Sequence, residues 1–546
     1  MSAERVPASI TSTISGNPVL SATRKSIGVI DIFAGPGGLG EGFSSFRTDK
    51  DAGTYPFELA VSAEMEKSAH STLRLRAFYR LLVRKEGGVP QAYYDYLAEV
   101  AKGDASPPAI HFGVGPWQDL WKEAEEEALN LTLGEEKDNQ LLFDRISKVR
   151  DNYDEMILIG GPPCQAYSLV GRSRQMNVDG FLTKGDKKHF LYKQYLRILA
   201  DFSPAIFIME NVKGILTSKV GNKEMFSAIM RDLSNPAAAL QRSKQEGKSD
   251  RKYVLLPIHV GEGQERSSEL VAKDPSAFII RCEDHGAAQA RHRVIIMGVR
   301  EDLMHAGIAT LPGLDVVKER VSVENALAGL PKLRSGLSRQ IDDEEKWRKA
   351  MLSERDRVIR ALGSSLPDVA ERLKKLSPAH TLGRRSTEYG NTSSEYADRL
   401  RGKQTVVLNH ETRGHMQSDL GRYMFCAAYA KAMHCSPSSS EFPKKLAPEH
   451  ENWDSGAFAD RFRVQIQGRP SNTVTSHLSK DGHAFIHWDY RQCRSLTVRE
   501  AARLQSFPDD YLFLGNRTQQ YVQVGNAVPP LVARQIAKVV WSILRK

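Results

Sequence analysis

Cysteine is scarce in this chain: five in 546 residues, at positions 164, 282, 426, 435 and 493, with no regular spacing. That excludes a disulfide framework and fits a reducing compartment such as the cytosol. No run approaches the ~18 consecutive apolar residues of a membrane span. The first 25 residues, rich in Ser and Thr, lack the apolar core of a signal peptide and read as a flexible leader. Internal repeats and extended low-complexity tracts are also missing. Neither sign of charge dominates. With 76 Lys+Arg against 66 Asp+Glu the net charge is +10, which suits a polyanion partner but falls far short of a histone-like excess. The length allows two domains, one of them split.

What is present begins with GGPPCQAYS, residues 160 to 168, which follows the apolar run Met156-Ile157-Leu158-Ile159. Pro162 and Pro163 lack an N–H and have a fixed φ, so they end the strand and stiffen the presentation of Cys164. Two readings stand for this thiol: a nucleophile held at a strand end, or a small buried hydrophobe.

Other strand ends ask for related chemistry. Residues 27–32 read as a buried strand that runs into DIFAGPGGLGEGF, a glycine-rich turn and then a helix. Glycines there let a nucleotide-like cofactor approach the backbone, and a helix start offers free N–H groups. Past the strand-like residues 57–61, Glu64 is placed to accept hydrogen bonds from ribose hydroxyls, the alternative being an exposed surface acid. The apolar run 205–209 ends in Glu210-Asn211-Val212. A carboxylate at such a position is either a satisfied structural acid or a general acid. In AAQARHRVIIMGVR, period two puts Gln289, Arg291 and Arg293 on one face of an extended segment, suited to phosphate or base recognition or to a solvated edge strand.

Near the C-terminus, Thr497 followed by Glu500 forms a capping box before the apolar Ala501, Leu504 and Phe507. QVGNAVPP supplies a Gly-Asn turn and two prolines ahead of an amphipathic helix carrying Ile536, Val539, Val540 and Ile543.

Six of these segments, FAGPGG, PPCQ, ENV, QARHR, TVREAARLQSFPD and QVGNAVPP, resemble in sequence and order the motifs of the DNA cytosine-5 methyltransferases. The resemblance spans roughly residues 26 to 300 and 490 to 546. It implies an α/β fold: a Rossmann-like, S-adenosylmethionine-dependent methyltransferase domain with a mostly parallel sheet, plus a separate target-recognition domain. The implied division is a leader at 1–25, catalytic residues 26–300, target recognition in 301–490, and a segment 491–546 that completes the catalytic domain beside the N-terminal glycine loop.

By the same resemblance, Cys164 adds to carbon 6 of cytosine, Glu210 protonates ring nitrogen 3, and Arg291 and Arg293 line the pocket of a flipped-out base, with Gln165, Ser168 and Gln289 also on the substrate. Around S-adenosylmethionine it places Asp31, Phe33 stacked on adenine, Ala34, Gly35, Gly37, Gly38, Glu64 on the ribose, Met65, Pro162, Asn526 and Ala527. No metal is required. The implied setting is a prokaryotic, cytoplasmic, nucleoid-associated enzyme, monomeric on double-stranded DNA, working alone or with cognate restriction or defence-system proteins. One feature departs from the family. A Gly-Asp pair usually ends the third strand, where IHFGVGPWQDL offers Asp119 in no settled register, and the charged helical stretch 121–149 looks like an insertion.

Between the motif blocks, residues 331 to 420 hold 18 Lys+Arg and 13 Asp+Glu, and the charge-rich stretch 344–376 reads as a solvated helix face or a DNA contact. His410, His415, Cys426, His434 and Cys435 match no compact zinc spacing, so residues 420–433 are read as a helix with these groups partly buried. Residues 470–489 read as a hairpin turning at Asp481-Gly482, its polar residues suited to DNA backbone. Besides a DNA methyltransferase, the set admits an RNA-directed relative, which the long middle segment disfavours, and a non-catalytic DNA-binding paralogue, which intact Cys164, Glu210 and FAGPGG disfavour.

Overall fold

A computed structural model describes residues 26–48, 54–163, 189–220, 223–242, 247–261, 264–376, 382–449, 453 and 461–545. The leader, Cys164, Gln165 and Ser168 lie outside the described residues.

The centre is an eight-stranded sheet of β1 (Ile27–Ile32), β2 (Phe57–Glu64), β3 (Ala128–Asn130), β4 (Glu155–Gly160), β5 (Ile206–Val212), β6 (Tyr253–Pro257), β7 (Ile279–Arg281) and β8 (His292–Arg300). Its order is β3-β2-β1-β4-β5-β8-β6, with β7 also on β8. The pairs among β1 to β5 are parallel, whereas β8 runs antiparallel to β5, β6 and β7. The parallel strands are nearly continuous in Val, Ile and Leu because both faces are covered.

Around the sheet and beyond it stand α1 (Gly38–Ser44), α2 (Lys67–Lys85), α3 (Glu136–Val149), α4 (His189–Phe202), α5 (Glu344–Leu362), α6 (Pro367–Lys374), α7 (Gln417–Met433), α8 (Val498–Leu504), α9 (Arg517–Asn526) and α10 (Pro530–Leu544). On one face Ile146 of α3 and Tyr195, Ile198 and Leu199 of α4 pack on Ile30, Leu158 and Phe207. On the other, Leu39 and Phe43 of α1 join Ile536, Val539, Val540 and Ile543 of α10 against Val29, Ile157 and Ile208. The first and last helices therefore share one layer. Their approach is so close that a Cβ on Gly42 would stand 2.3 Å from the Cβ of Ala533. By length and composition Arg517–Leu544 is the one described stretch apolar enough to cross a membrane, but 61% of its most apolar window is buried in the fold.

The middle segment has a core of its own. Trp347, Met351 and Val358 of α5, Val369 and Leu373 of α6, and Phe442, Phe462 and Ile486 surround α7, which is buried over most of its length from Asp419 to Ala430. The charged stretch 344–376 is thus amphipathic, with one face in this core. A second cluster mixes Val323, Ala326, Tyr396 and Leu400 with Leu504, Phe507 and Tyr521, so the middle segment and the C-terminal motif block share a hydrophobic joint.

Four expectations are corrected. Residues 121–149 are not an insertion: they contain β3, the sheet's edge strand, and α3, whose Leu142 and Ile146 belong to the main core. Asp119 ends no strand, since it lies in the first turn of the helix Gln118–Glu127 with an exposed side chain. Asn130 ends the third strand instead, its amide donating to the carbonyls of Glu64 and Met65. Residues 470–489 form no hairpin. Ser471–Asn472 pairs in parallel with Gln289–Ala290, and short 3-10 turns follow. Finally, Gly525-Asn526 is the last turn of α9 rather than a free turn, because Asn516 and Gln519 form a capping box that starts a helix there.

Candidate active site

Two loops leave the C-terminal ends of adjacent parallel strands, where open α/β sheets bind their ligands. After β1 the chain turns through Phe33 and Gly35, at φ of 56° and 58°, into α1. The loop is anchored to β2: Ala34 N–H donates to Ala63 O at 3.1 Å and Gly35 N–H to Glu64 Oε2 at 2.8 Å. Glu64 Oε1 accepts the Glu66 N–H, and burial raises its carboxyl pKa. Met65 is exposed beside it, and the space over Gly35 is open, with nothing within 4 Å of where a Cβ would stand. Beneath the loop Asp31 is fully buried, and its two carboxyl oxygens have no hydrogen-bond partner among the described residues. Burial pushes its pKa up to about 8, against the pull of nearby Arg80.

Gly37 and Gly38 meet the far end of the chain. The Tyr511 hydroxyl donates to the Pro36 carbonyl, and a Cβ on Gly38 would stand 2.3 Å from Val528 O. Asn526 is exposed at the rim of this junction, while Ala527 is buried within it. Glu41 of α1 pairs with buried Arg76 at 2.6 Å, and Arg76 reaches Asp510 at 3.0 Å, which fixes α1 to the C-terminal block.

After β4 the chain passes Gly161, buried Pro162 and exposed Pro163 toward Cys164. Gly161 lies against Glu210 of β5. Asn211 Nδ2 donates to Pro162 O at 3.3 Å and so holds the start of the cysteine loop. Glu210 Oε1 is 2.8 Å from Arg293 Nε, and both side chains are largely buried. Arg293 in turn donates from Nη1 to the His292 carbonyl at 2.8 Å. A carboxylate and a guanidinium at one strand end, beneath a proline-stiffened loop, can hold a polar ring and move a proton at it.

Gln289 and Arg291 do not share that pocket, contrary to the one-face expectation. Both are buried and bind backbone. Gln289 accepts the Val474 N–H at 2.8 Å and donates to Gln505 Oε1 at 2.6 Å, and Gln505 donates to Val524 O at 2.7 Å. Arg291 donates to Val474 O at 2.8 Å and Gly525 O at 3.3 Å. Burial, with Arg293 nearby, lowers its pKa to about 9. These residues brace residues 473–474 and the end of α9 around the pocket.

The capping box at Thr497 and Glu500 is present. Sequence reasoning missed Asn211, Gln505 and the buried arginines of α8. Arg499 donates to the carbonyls of Leu408, Pro508 and Tyr511, and Arg503 pairs with Asp509 and donates to Ala328 O. Among the described residues no three or more His, Cys, Asp or Glu side chains converge as metal ligands. His410, His415 and Cys426 are buried, whereas His434 and Cys435 are exposed.

Comparison with known proteins places this arrangement. The profile of the C-5 cytosine-specific DNA methylase family matches residues 131–236 and 275–542. The type II methyltransferase M.Bpa9945I of Bacillus paralicheniformis is 32% identical over 531 residues, covering 94% of this chain and 99% of the relative. M.DdeI of Desulfomicrobium norvegicum, also a type II methyltransferase, is 27% identical over 70% of this chain and 71% of its own. The DNA (cytosine-5-)-methyltransferase M.ApeKI of Aeropyrum pernix is 26% identical over 72% and 82%.

Proposed function

As a member of the C-5 cytosine-specific DNA methylase family the chain is a DNA (cytosine-5-)-methyltransferase, and we propose that it methylates carbon 5 of a flipped-out cytosine at sites it selects by sequence, through a covalent bond from Cys164. The observation that carries this reading is the Glu210–Arg293 pair at 2.8 Å, set beneath the loop that leads into Cys164.

Carbon 5 of cytosine is a poor nucleophile. Addition of the Cys164 thiolate to carbon 6 turns the ring into an enamine, and electron density moves onto ring nitrogen 3, where the Glu210 carboxyl would deliver a proton or hydrogen bond. Arg293 holds the carboxyl in place and offers its remaining N–H groups to the base oxygen or a neighbouring phosphate. Once carbon 5 carries the methyl group, loss of its proton to water and departure of the Cys164 thiolate from carbon 6 would free the product. A base stacked in a duplex is out of reach of this pocket, so it must be turned out first.

The residues of the neighbouring loop fit S-adenosylmethionine, which would supply the methyl group. The open space over Gly35, the buried Asp31 carboxyl and the strand-end Glu64 would hold it, with Phe33, Ala34, Gly37, Gly38, Met65, Pro162, Asn526 and Ala527 around it. Within the polar rim Glu64 would accept ribose hydroxyls and Phe33 would stack on the adenine.

We assign target recognition to residues 301–490: from Trp347 onward the segment has a core around α7 apart from that of the sheet, whereas Ile308, Leu311 and Leu314 pack against the sheet itself. The type II relatives support a role in restriction-modification or phage defence. Incubation with labelled S-adenosylmethionine and either duplex DNA or transfer RNA tests the whole reading. Label in DNA cytosine at carbon 5 is expected, and label confined to transfer RNA, or none, would overturn it. A chimera carrying residues 301–490 of a related enzyme should methylate the donor's site.

A further inference from the structure

Two exposed side chains stand on a backbone pinned from behind, close to the active-site pair. Residues 466–469 make a tight turn, Arg469 N–H to Ile466 O at 3.2 Å, and Pro470 then confines Arg469 to extended conformations. The Arg469 carbonyl accepts the Val323 N–H at 2.8 Å, and Ser471 N–H donates to Ala288 O at 2.9 Å. The Asn472 N–H donates at 2.9 Å to Oε1 of Gln465, a fully buried side chain whose Nε2 is spent on Ala484 O at 3.0 Å. Every backbone tie faces inward. The Arg469 guanidinium and the Asn472 amide are exposed and have no side-chain partner among the described residues.

The register fixes where they stand. Asn472 lies opposite Ala290, and three residues further along that chain Arg293 meets Glu210. Three residues span at most about 10 Å, and less here because the Arg291 N–H turns back onto Gln289 O at 2.9 Å; the 466–469 turn carries Arg469 further out. At 3.4 Å per base pair along a duplex, that distance reaches the first few pairs beside a cytosine held at Glu210.

We infer that Arg469 and Asn472 are specificity-determining residues, whose side chains read base edges flanking the target cytosine. Arginine's planar fork matches the O6/N7 edge of guanine and asparagine's amide the N6/N7 edge of adenine, and each good pair discriminates by about 5- to 150-fold. A rigid backbone behind flexible tips is the arrangement such readout needs, since misplacement by an ångström forfeits a bidentate contact.

The inference rests on the proposed methyltransferase activity, and one experiment separates the two. Wild type, Arg469→Ala, Arg469→Lys and Asn472→Ala are incubated with S-adenosylmethionine and a randomised duplex library, and 5-methylcytosine is mapped by bisulfite sequencing. Wild type should give one motif, and its failure to methylate any site would sink the activity itself. Each alanine variant should lose at least fivefold preference at one base pair, a different one for each residue, with an unchanged unfolding midpoint. Arg469→Lys keeps the charge but not the fork, so it should relax the same position as Arg469→Ala. An active Arg469→Lys with the wild-type motif, or an Arg469→Ala that binds all sequences more weakly with a salt slope reduced by about 1, would mean a phosphate contact and overturn the assignment. An Asn472→Ala profile identical to wild type would do the same for Asn472.

Discussion

Gly161 and Glu210 are in contact across two neighbouring strand ends: a Cβ at position 161 would stand 2.8 Å from Glu210 Oε2. Only a residue without a side chain lets the cysteine loop lie on the acid. Gly161→Ala is therefore expected to displace one or the other and to lower kcat by ~10-fold or more, while affinity for S-adenosylmethionine, measured by calorimetry, stays within about twofold. A matching loss of cofactor affinity would show that the contact serves the cofactor loop instead.

Glu210→Gln keeps the size and one hydrogen bond but delivers no proton. Turnover should fall by ~10²-fold, the scale of acid catalysis, with little change in cofactor binding. A variant that also fails to bind cofactor would mark Glu210 as structural.

Cys164→Ser should abolish methyl transfer and leave DNA binding within a few-fold, because a hydroxyl is a far weaker nucleophile than a thiolate. Duplex with 5-fluorocytosine at the target should trap the wild-type protein as a stable adduct, since fluorine cannot leave as a proton does. Mass spectrometry of the adduct checks that the bond is at Cys164.

The junction of α1 and α10 predicts a different phenotype. Removing residues 523 to 546 exposes the apolar layer built by Ile536, Val539, Val540 and Ile543 and leaves Gly38 without its Val528 partner. Cofactor binding or solubility should be lost. Gly42→Leu, which would collide with Ala533, should lower the unfolding midpoint by several degrees in the full chain.

Acid should weaken the joint between the middle segment and the motif block. His410 is fully enclosed, with Nε2 2.9 Å from Pro331 O and Nδ1 2.8 Å from the Thr497 hydroxyl, and burial lowers its pKa to about 4. His487 is lowered to about 3 by the same cause. Both are neutral when folded, whereas in the unfolded chain they titrate near ~6.5. Below that pH the unfolded state binds more protons, so stability is full above it and declines as pH falls toward the folded values, by about 2 kcal/mol per histidine at pH 5. Urea unfolding at pH 7 and pH 5 measures the loss, and His410→Gln should reduce it.

The strand ends were legible because each is local. An apolar run, a turn residue and a polar side chain stand within ten positions, as at Ala205 to Asn211, the run from Met156 ends at Pro162 and Pro163, and the Thr497–Glu500 box needs four. The third strand was not, since three residues, one of them Asn130, carry no period to detect. Gln289 and Arg291 show the other limit. Alternation told that they are polar and in line, but their partners at Val474, Gln505 and Gly525 come from segments about 180 to 235 positions away. Arg499 and Arg503 likewise recur at helical spacing, which a solvated face would also produce, and only packing revealed the carbonyls and the Asp509 carboxylate that enclose them.

The Pro36–Tyr511 contact joins the glycine loop to a residue 475 positions away, and Thr72 with Gln523 spans 451. At translation speeds of roughly 5–20 residues per second, the glycine loop waits on the order of half a minute to a minute and a half before its covering helix exists. The glycine loop therefore gains its Tyr511 and Val528 contacts only once those residues have been made, long after β1 and β2.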